Sequence, residues 1–336
     1  MSNLASLLNN MGKYEVATKL QSECLTKSRI LKGENNPDTL TSINNLAGLY
    51  QKLGKYTEAE PLFLECLAKR KAHPSLGNDH PDTLSSINNL ALLYKILNRL
   101  NDAEPLYKEC LEKLRSTLGV HHPNTLTAIS NLAGLYKEQG KFEDSKKLYL
   151  ECLRNRRRTL GHDHPDTLDS VNGLAVLFKK IGNLKDAELL FAECLEKRRI
   201  ALGANHPDTL ISINNLAVLY KKQGKYETAE SLYLESYENL KVTLGEGHQD
   251  TITSGKNLAL LYKKQAKYQT AEDLLKECMQ QCTLTHGPKH ERTISLLKSL
   301  RSVSEKSLSE KSLSERSLSE KSISEKSISG KQFSDN

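Results

Sequence analysis

The sequence has no tryptophan and only 5 phenylalanines, and aromatic residues make up 5% of its 336 positions. That is thin for one large globular core, because large rings dominate core packing. No apolar run approaches the roughly 18 residues of a membrane span, and no secretory leader opens the chain, so a soluble cytoplasmic protein without membrane insertion is expected. Charge of one sign is also scarce. Lys and Arg number 48 against 41 acidic residues, a formal +7, which is a weaker excess than nucleic-acid binding calls for. The whole excess lies before residue 303, since residues 303–336 carry six basic and six acidic side chains. With 18 Gly and 9 Pro, the composition excludes both a fibrous chain and a Pro/Gly-rich disordered one.

What the sequence does have is repetition. The string Pro-Asp-Thr-Leu begins at Pro37, Pro81, Pro165 and Pro207, and Pro-Asn-Thr-Leu begins at Pro123. Degenerate copies begin at Gln249 and Glu291. From Pro81 onward each step is 42 residues; the first is 44, and its two extra residues fall in the 72–77 loop region. Length alone would suggest two or three domains, but a fixed period means one array of like units.

Each unit reads as two helices. Leu40, Ile43, Leu46, Ala47 and Tyr50 recur at spacings of three and four, and so do Tyr56, Ala59, Leu62, Phe63, Cys66 and Leu67. Pro37 suits a first helical position and Asp38 complements the positive end of the helix dipole. Gly54 and Gly77 close the two helices, and Gly140, Gly182, Gly224 and Gly119, Gly161, Gly203, Gly245 repeat these stops. No stretch alternates with period two, so the fold class is all-α. One helical pair cannot bury its own stripe, and neighbouring pairs must stack into a solenoid. Small residues mark the closest crossings: Ala47, Ala91, Ala133, Ala175, Ala217 and Ala259 in the first helix, Ala59, Ala103, Ala187, Ala229 and Ala271 in the second, with Ser145 in the remaining copy.

The pattern Leu-Ala-x-Leu-Tyr-x-x-x-Gly-Lys-Tyr-x-x-Ala-Glu-x-Leu-Tyr, cleanest at 46–63 and 216–233, resembles the tetratricopeptide repeat. The 42-residue period with His-Pro-Asp-Thr-Leu between units is similar to kinesin light chains and nephrocystin-3-type arrays. The resemblance covers residues 1–302 and implies a right-handed superhelix of helix-turn-helix units. On this reading 1–302 is the solenoid, with a truncated first repeat at 1–35, repeats starting near 37, 81, 123, 165, 207 and 249, and a terminal half-repeat at 290–302. Leu4-Ala5 matches Leu46-Ala47, so the first helix is expected to lack its leading turn. The family's heptad coiled coil, which docks on a motor heavy chain, has no counterpart in these residues.

Chemistry-bearing residues follow the same period. Cys24, Cys66, Cys110, Cys152 and Cys194 share one position, which reads as a small buried thiol, with Ser236 in its place one unit later. Cys278 and Cys282 are an i, i+4 pair near His286 and His290, but without close Cys-x-x-Cys spacing the sequence argues against a metal site. His80, His122, His164, His206, His248 and His290 precede the motif and are expected to act structurally at the turn between units. Every candidate catalytic residue has a copy one period away, so neither an enzyme nor a cofactor is expected.

In such arrays the first helix of each pair lines the concave groove. Asn45, Asn89, Asn131, Asn215 and Asn257 recur there, preceded in most units by a second Asn such as Asn44, Asn88 and Asn214, while Gly173 interrupts the file. An Asn offers both donors and acceptors to an extended backbone, and the resemblance implies a peptide-clamping role. Lys95, Lys137, Lys179, Lys221 and Lys263 form a second file that would favour acidic peptides. Arg154, Arg156, Arg157 and Arg158 cluster late in a second helix, where cations complement the dipole. The expected function is a protein-interaction adaptor of the kinesin light chain type, binding a protein or short acidic peptide within a motor complex. Two alternatives are a scaffold of a ciliary or signalling complex, and the repeat region of a larger regulatory ATPase. Residues 303–336, a Ser-Glu-Lys-Ser-Leu tail whose apolar residues recur every five positions, gather no apolar face and should stay disordered or form a frayed helix.

Overall fold

The computed structural model of the chain describes residues 2–10 and 14–331. Within them the backbone forms fifteen helices and no strand. In chain order these are α1 (Ser2–Asn10), α2 (Tyr14–Lys32), α3 (Pro37–Lys52), α4 (Tyr56–Ala72), α5 (Pro81–Ile96), α6 (Leu100–Leu118), α7 (Pro123–Glu138), α8 (Phe142–Leu160), α9 (Pro165–Ile181), α10 (Leu184–Leu202), α11 (Pro207–Lys222), α12 (Tyr226–Leu244), α13 (Gln249–Lys264), α14 (Tyr268–His286) and α15 (Glu291–Lys331). Each helix packs on its predecessor and its successor, which makes the molecule a helical solenoid.

The recurring motif builds the joint between units. His80 Nδ1 accepts from the Asp82 N–H at 3.1 Å and caps α5; His122, His164, His206, His248 and His290 cap α7, α9, α11, α13 and α15 the same way. The Thr that follows turns back: Thr125, Thr167 and Thr209 Oγ1 each donate at 2.8 Å to the carbonyl of Gly119, Gly161 and Gly203, the glycine ending the preceding second helix. Gly161, at φ +92°, shows why that residue is glycine, since a side chain there would be strained. The histidines are therefore structural caps, as their repetition predicts. The two extra residues of the first long unit do fall after α4, which stops at Ala72 two residues shorter than α6, and residues 73–80 form a longer connection.

The alanines of both helices are fully buried, and Ser145 bonds the Ala133 carbonyl at 2.7 Å in place of a methyl. The thiols also serve the packing. Cys66, Cys110 and Cys152 donate to the carbonyls of Leu40, Leu84 and Leu126 at 3.2, 3.4 and 3.2 Å, and Ser236 donates to Leu210 at 2.9 Å. Burial pushes the Cys110 thiol up to about 12, which leaves it unreactive.

Arg156 departs from expectation. Rather than decorating a helix end, it is buried, donating at 2.7 Å to the Asp166 carbonyl and at 2.9 Å to Ser170 Oγ across the next joint. Arg70 and Arg198 do the same with Asp82 and Ser86, and with Asp208 and Ser212. Leu114 and Leu240 take that position in two other units.

The backbone of α15 is helical to Lys331. Leu296 and Val303 complete the last stretch of core, and Val303 is the last buried side chain among those described. Beyond it Leu308 is exposed, while Glu310 accepts a hydrogen bond from the Tyr268 hydroxyl. Residues 332–336 of the expected tail lie outside the described residues.

Candidate functional site: the inner face of the array

Neighbouring first helices touch each other directly, α3 with α5, α5 with α7, α7 with α9, α11 with α13 and α13 with α15. Their crowding places them on the inner side of the curve. The asparagines meet along this contact line. Asn89 Nδ2 donates to Asn44 Oδ1 at 3.2 Å, Asn131 to Asn88 at 2.7 Å, Asn215 to Asn172 at 2.9 Å and Asn257 to Asn214 at 3.4 Å. Each bond joins one unit to the next, so the file is a ladder with asparagine rungs. One rung uses one of the donor's two N–H groups and one of the acceptor oxygen's two lone pairs, leaving hydrogen-bonding capacity on both residues. All of these side chains are half-buried except Asn214, which is buried.

Among the described residues Asn45 makes no such rung. With Asn44, Asn89, Gly48, Gln51, Lys52 and Leu92 it lines a cavity of about 260 Å³ at the N-terminal end of the inner face, closed on one side by Ala5 and Asn9 of α1. Gln51 stands at the position that Lys95 occupies one unit later.

The ladder fails at Gly173. A Cβ there would come 2.7 Å from Tyr149 Cε1, so the tyrosine ring occupies the space an asparagine would need. Gly134, on the facing helix, lies under both Lys95 and Tyr149: its Cβ would sit 3.1 Å from Lys95 Nζ and 3.4 Å from the Tyr149 hydroxyl. Burial pushes that phenol up to about 12.

The lysine file runs beside the ladder and is half-buried throughout. Among the described residues no carboxylate lies within 4 Å of Lys95, Lys179 or Lys221, whereas Lys137 has Glu138 at 3.3 Å and Lys263 donates to Ser302 at 2.6 Å. Burial brings the Lys95 ammonium below the usual lysine range, and neighbouring Lys137 pushes it the same way. Lys179 is lowered to about 8 by burial and by the charges of Lys137, Lys222 and Lys221; burial and Lys264 lower Lys221. Two of these ammoniums rest on rings, Lys179 at 5.8 Å from the Phe191 centroid and Lys221 at 5.5 Å from Tyr233. Lys95, Lys179 and Lys221 are thus partly dehydrated positive charges with no carboxylate within 4 Å among the described residues, although Glu138 beside Lys137 also acts on Lys95. They can hold carboxylates, and a steady supply of amide groups runs alongside them.

Residues outside the two predicted files complete the face. Gly48, Leu92 and Gly134 floor it, and Tyr149 breaks it; the first three share one register position, which the 42-residue period would have revealed. The cysteine pair is occupied structurally. Cys278 packs beside Tyr237, and Cys282 accepts from Thr293 Oγ1 at 3.3 Å. Among the described residues no cluster of three or more His, Cys, Asp or Glu side chains is arranged for a metal, and no helix is long and apolar enough to cross a membrane.

Family models described as tetratricopeptide repeat match residues 1–72, 82–156, 124–200 and 190–241, and a second such model matches 251–292. The chain belongs to the tetratricopeptide repeat family. Solved structures share its fold. BtubC (BKLC) from P. vanneervenii is 24% identical with a TM-score of 0.56, the match covering 69% of this chain and 92% of that one. A tetratricopeptide repeat protein from Parabacteroides merdae is 17% identical with a TM-score of 0.55, over 89% of this chain and 96% of that one. A singly substituted form of a Podosopora anserina protein, provisionally assigned as a kinesin light chain with nearly identical TPR-like repeats, is 26% identical with a TM-score of 0.50, over 61% of this chain and 97% of that one. A search of curated proteins finds no match. The tetratricopeptide repeats here are thus kinesin light chain-like, and repeats of this family form a protein-binding scaffold.

Proposed function

We propose that this tetratricopeptide array is a non-catalytic adaptor whose inner face binds an extended, acidic peptide segment of a partner protein. The observation that carries the reading is the pairing of an asparagine ladder with a file of lysines in which Lys95, Lys179 and Lys221 have no carboxylate within 4 Å among the described residues. Asn45, Asn89, Asn131, Asn215 and Asn257 hold the peptide main chain, whose groups repeat whatever the side chains are. Lys95, Lys137, Lys179, Lys221 and Lys263 select for carboxylates and speed encounter by long-range attraction. The kinesin light chain-like repeats favour a cargo-adaptor role in a cytoplasmic, cytoskeleton-associated complex.

A pull-down with the full chain tests this. Changing Asn89, Asn131 and Asn215 together to Ala should abolish capture of the wild-type partners, and raising the salt should weaken it. Capture that survives both changes contradicts the proposal.

A further inference from the structure

The two ends of the array meet. Tyr14, which opens α2, packs edge-on against His286 at the end of α14, ring centroids 6.2 Å apart and planes at 82°. His286 in turn packs on His290, the cap of α15, at 4.6 Å and 72°. His290 lies against the turn between α3 and α4, where a Cβ on Gly54 would fall 2.4 Å from its Cδ2. Lys52 Nζ sits 5.5 Å from the Tyr14 centroid on the other side. Gly54 already has φ +71°, so both its backbone and the ring above it require glycine.

We propose that this contact is an acid-sensitive latch, in which neutral His286 and His290 close the array on itself and their protonation releases the ends. His286 Nε2 faces Arg292 Nη1 at 3.5 Å, while its buried Nδ1 has no partner among the described residues. A second proton on this ring would sit beside a guanidinium and gain no acceptor. The groups facing the histidines come from every helix in the contact: Tyr14 of α2, Lys52 of α3, Tyr56 of α4, His248 and Asp250 of α13, and Glu291 and Arg292 of α15. Among the described residues, the cations Lys52 and Arg292 face the carboxylates Asp250 and Glu291 at neutral pH. Each histidine proton then adds positive charge.

Burial first, then the charges of His290, Arg292 and His248, lowers His286 to about 4, and burial lowers His290 as well. The open form restores the ordinary histidine value of 6.5. A lowered value in the closed form means that closure is fully favoured above 6.5 and is lost as the pH falls from 6.5 towards 4. Lys52 also lines the cavity at the N-terminal end of the inner face, so release changes access to that end.

Small-angle scattering of the full chain at about pH 7.5 and about pH 5, with circular dichroism alongside, tests the latch. The radius of gyration should rise at the lower pH with helicity unchanged. His286→Phe keeps a ring against Tyr14 and cannot titrate, leaving His290 alone to respond, so it should expand clearly less than the wild type at the lower pH. Gly54→Ala places a methyl in the His290 ring and should be expanded already at neutral pH. An unchanged radius in the wild type, an equal acid expansion in His286→Phe, or expansion only with loss of helicity would overturn the proposal.

Discussion

Tyr149 and Gly173 share one space: the tyrosine ring fills the volume above the glycine, at 2.7 Å from where a Cβ would be. At this gap in the asparagine ladder the ring leans into the space over Gly173, whereas Tyr107 and Tyr233, at the same register position, stand with Asn131 and Asn257 in their units. Restoring the ladder by Gly173→Asn should overpack the joint and destabilise the array by about 1–3 kcal/mol. The same change in a Tyr149→Leu background should cost clearly less. Denaturant unfolding of the four variants gives the coupling, and equal costs in both backgrounds would show that the two residues are independent.

Ala266 has φ +60° at the turn where other units place Gly140, Gly182 and Gly224. An L-residue held in the left-handed region costs about 1 kcal/mol relative to glycine. Ala266→Gly should raise stability by about that amount, read as a higher denaturation midpoint, with no change in the inner face.

Arg156 and Ser170 form a joint whose apolar counterpart exists in the same molecule, Leu114 opposite Ala128. Arg156→Leu alone removes two charge-assisted hydrogen bonds and leaves the Ser170 hydroxyl with its weaker contacts to the Asp166 carbonyl and the Cys152 thiol, and should cost about 1 kcal/mol. Adding Ser170→Ala should recover part of that loss. Unfolding measurements on the two single variants and the double variant decide it, and strictly additive losses would contradict the pairing.

Lys179, lowered to about 8, gives the proposed peptide site a pH limit. The ammonium that would meet a carboxylate is present below that value and lost above it. Affinity for an acidic peptide should therefore fall as the pH rises through about 8, and Lys179→Gln should flatten the dependence. Binding that is level from neutral to mildly alkaline pH in the wild type would contradict the role of this lysine.

Much of this was legible in the sequence because the period of 42 residues repeats each physical requirement. The histidine caps, the buried alanines and the thiols from Cys66 to Cys194 each recur with their environment, so one copy explains the rest, whereas Cys24, expected buried with them, is half-buried. Arg156 was misread because its position relative to its neighbours in sequence suggested a helix end. Its copies at Arg70 and Arg198, aligned by the repeat, carry the better signal. The ladder's rungs were not legible, because asparagine spacing within one helix says nothing about which residue of the next helix it reaches. Nor was the meeting of the two ends, since it depends on the accumulated curvature of every joint between α2 and α14.

The central claim is that the inner face binds extended acidic peptides through asparagine and lysine together. Isothermal titration of the full chain with a pooled acidic decapeptide library, and with a lysine-substituted counterpart, tests it most directly. Binding should appear for the acidic pool alone, weaken with salt, and disappear when Asn89, Asn131 and Asn215 are changed to Ala. Equal binding of both pools, or acidic binding that survives the three substitutions, would contradict it.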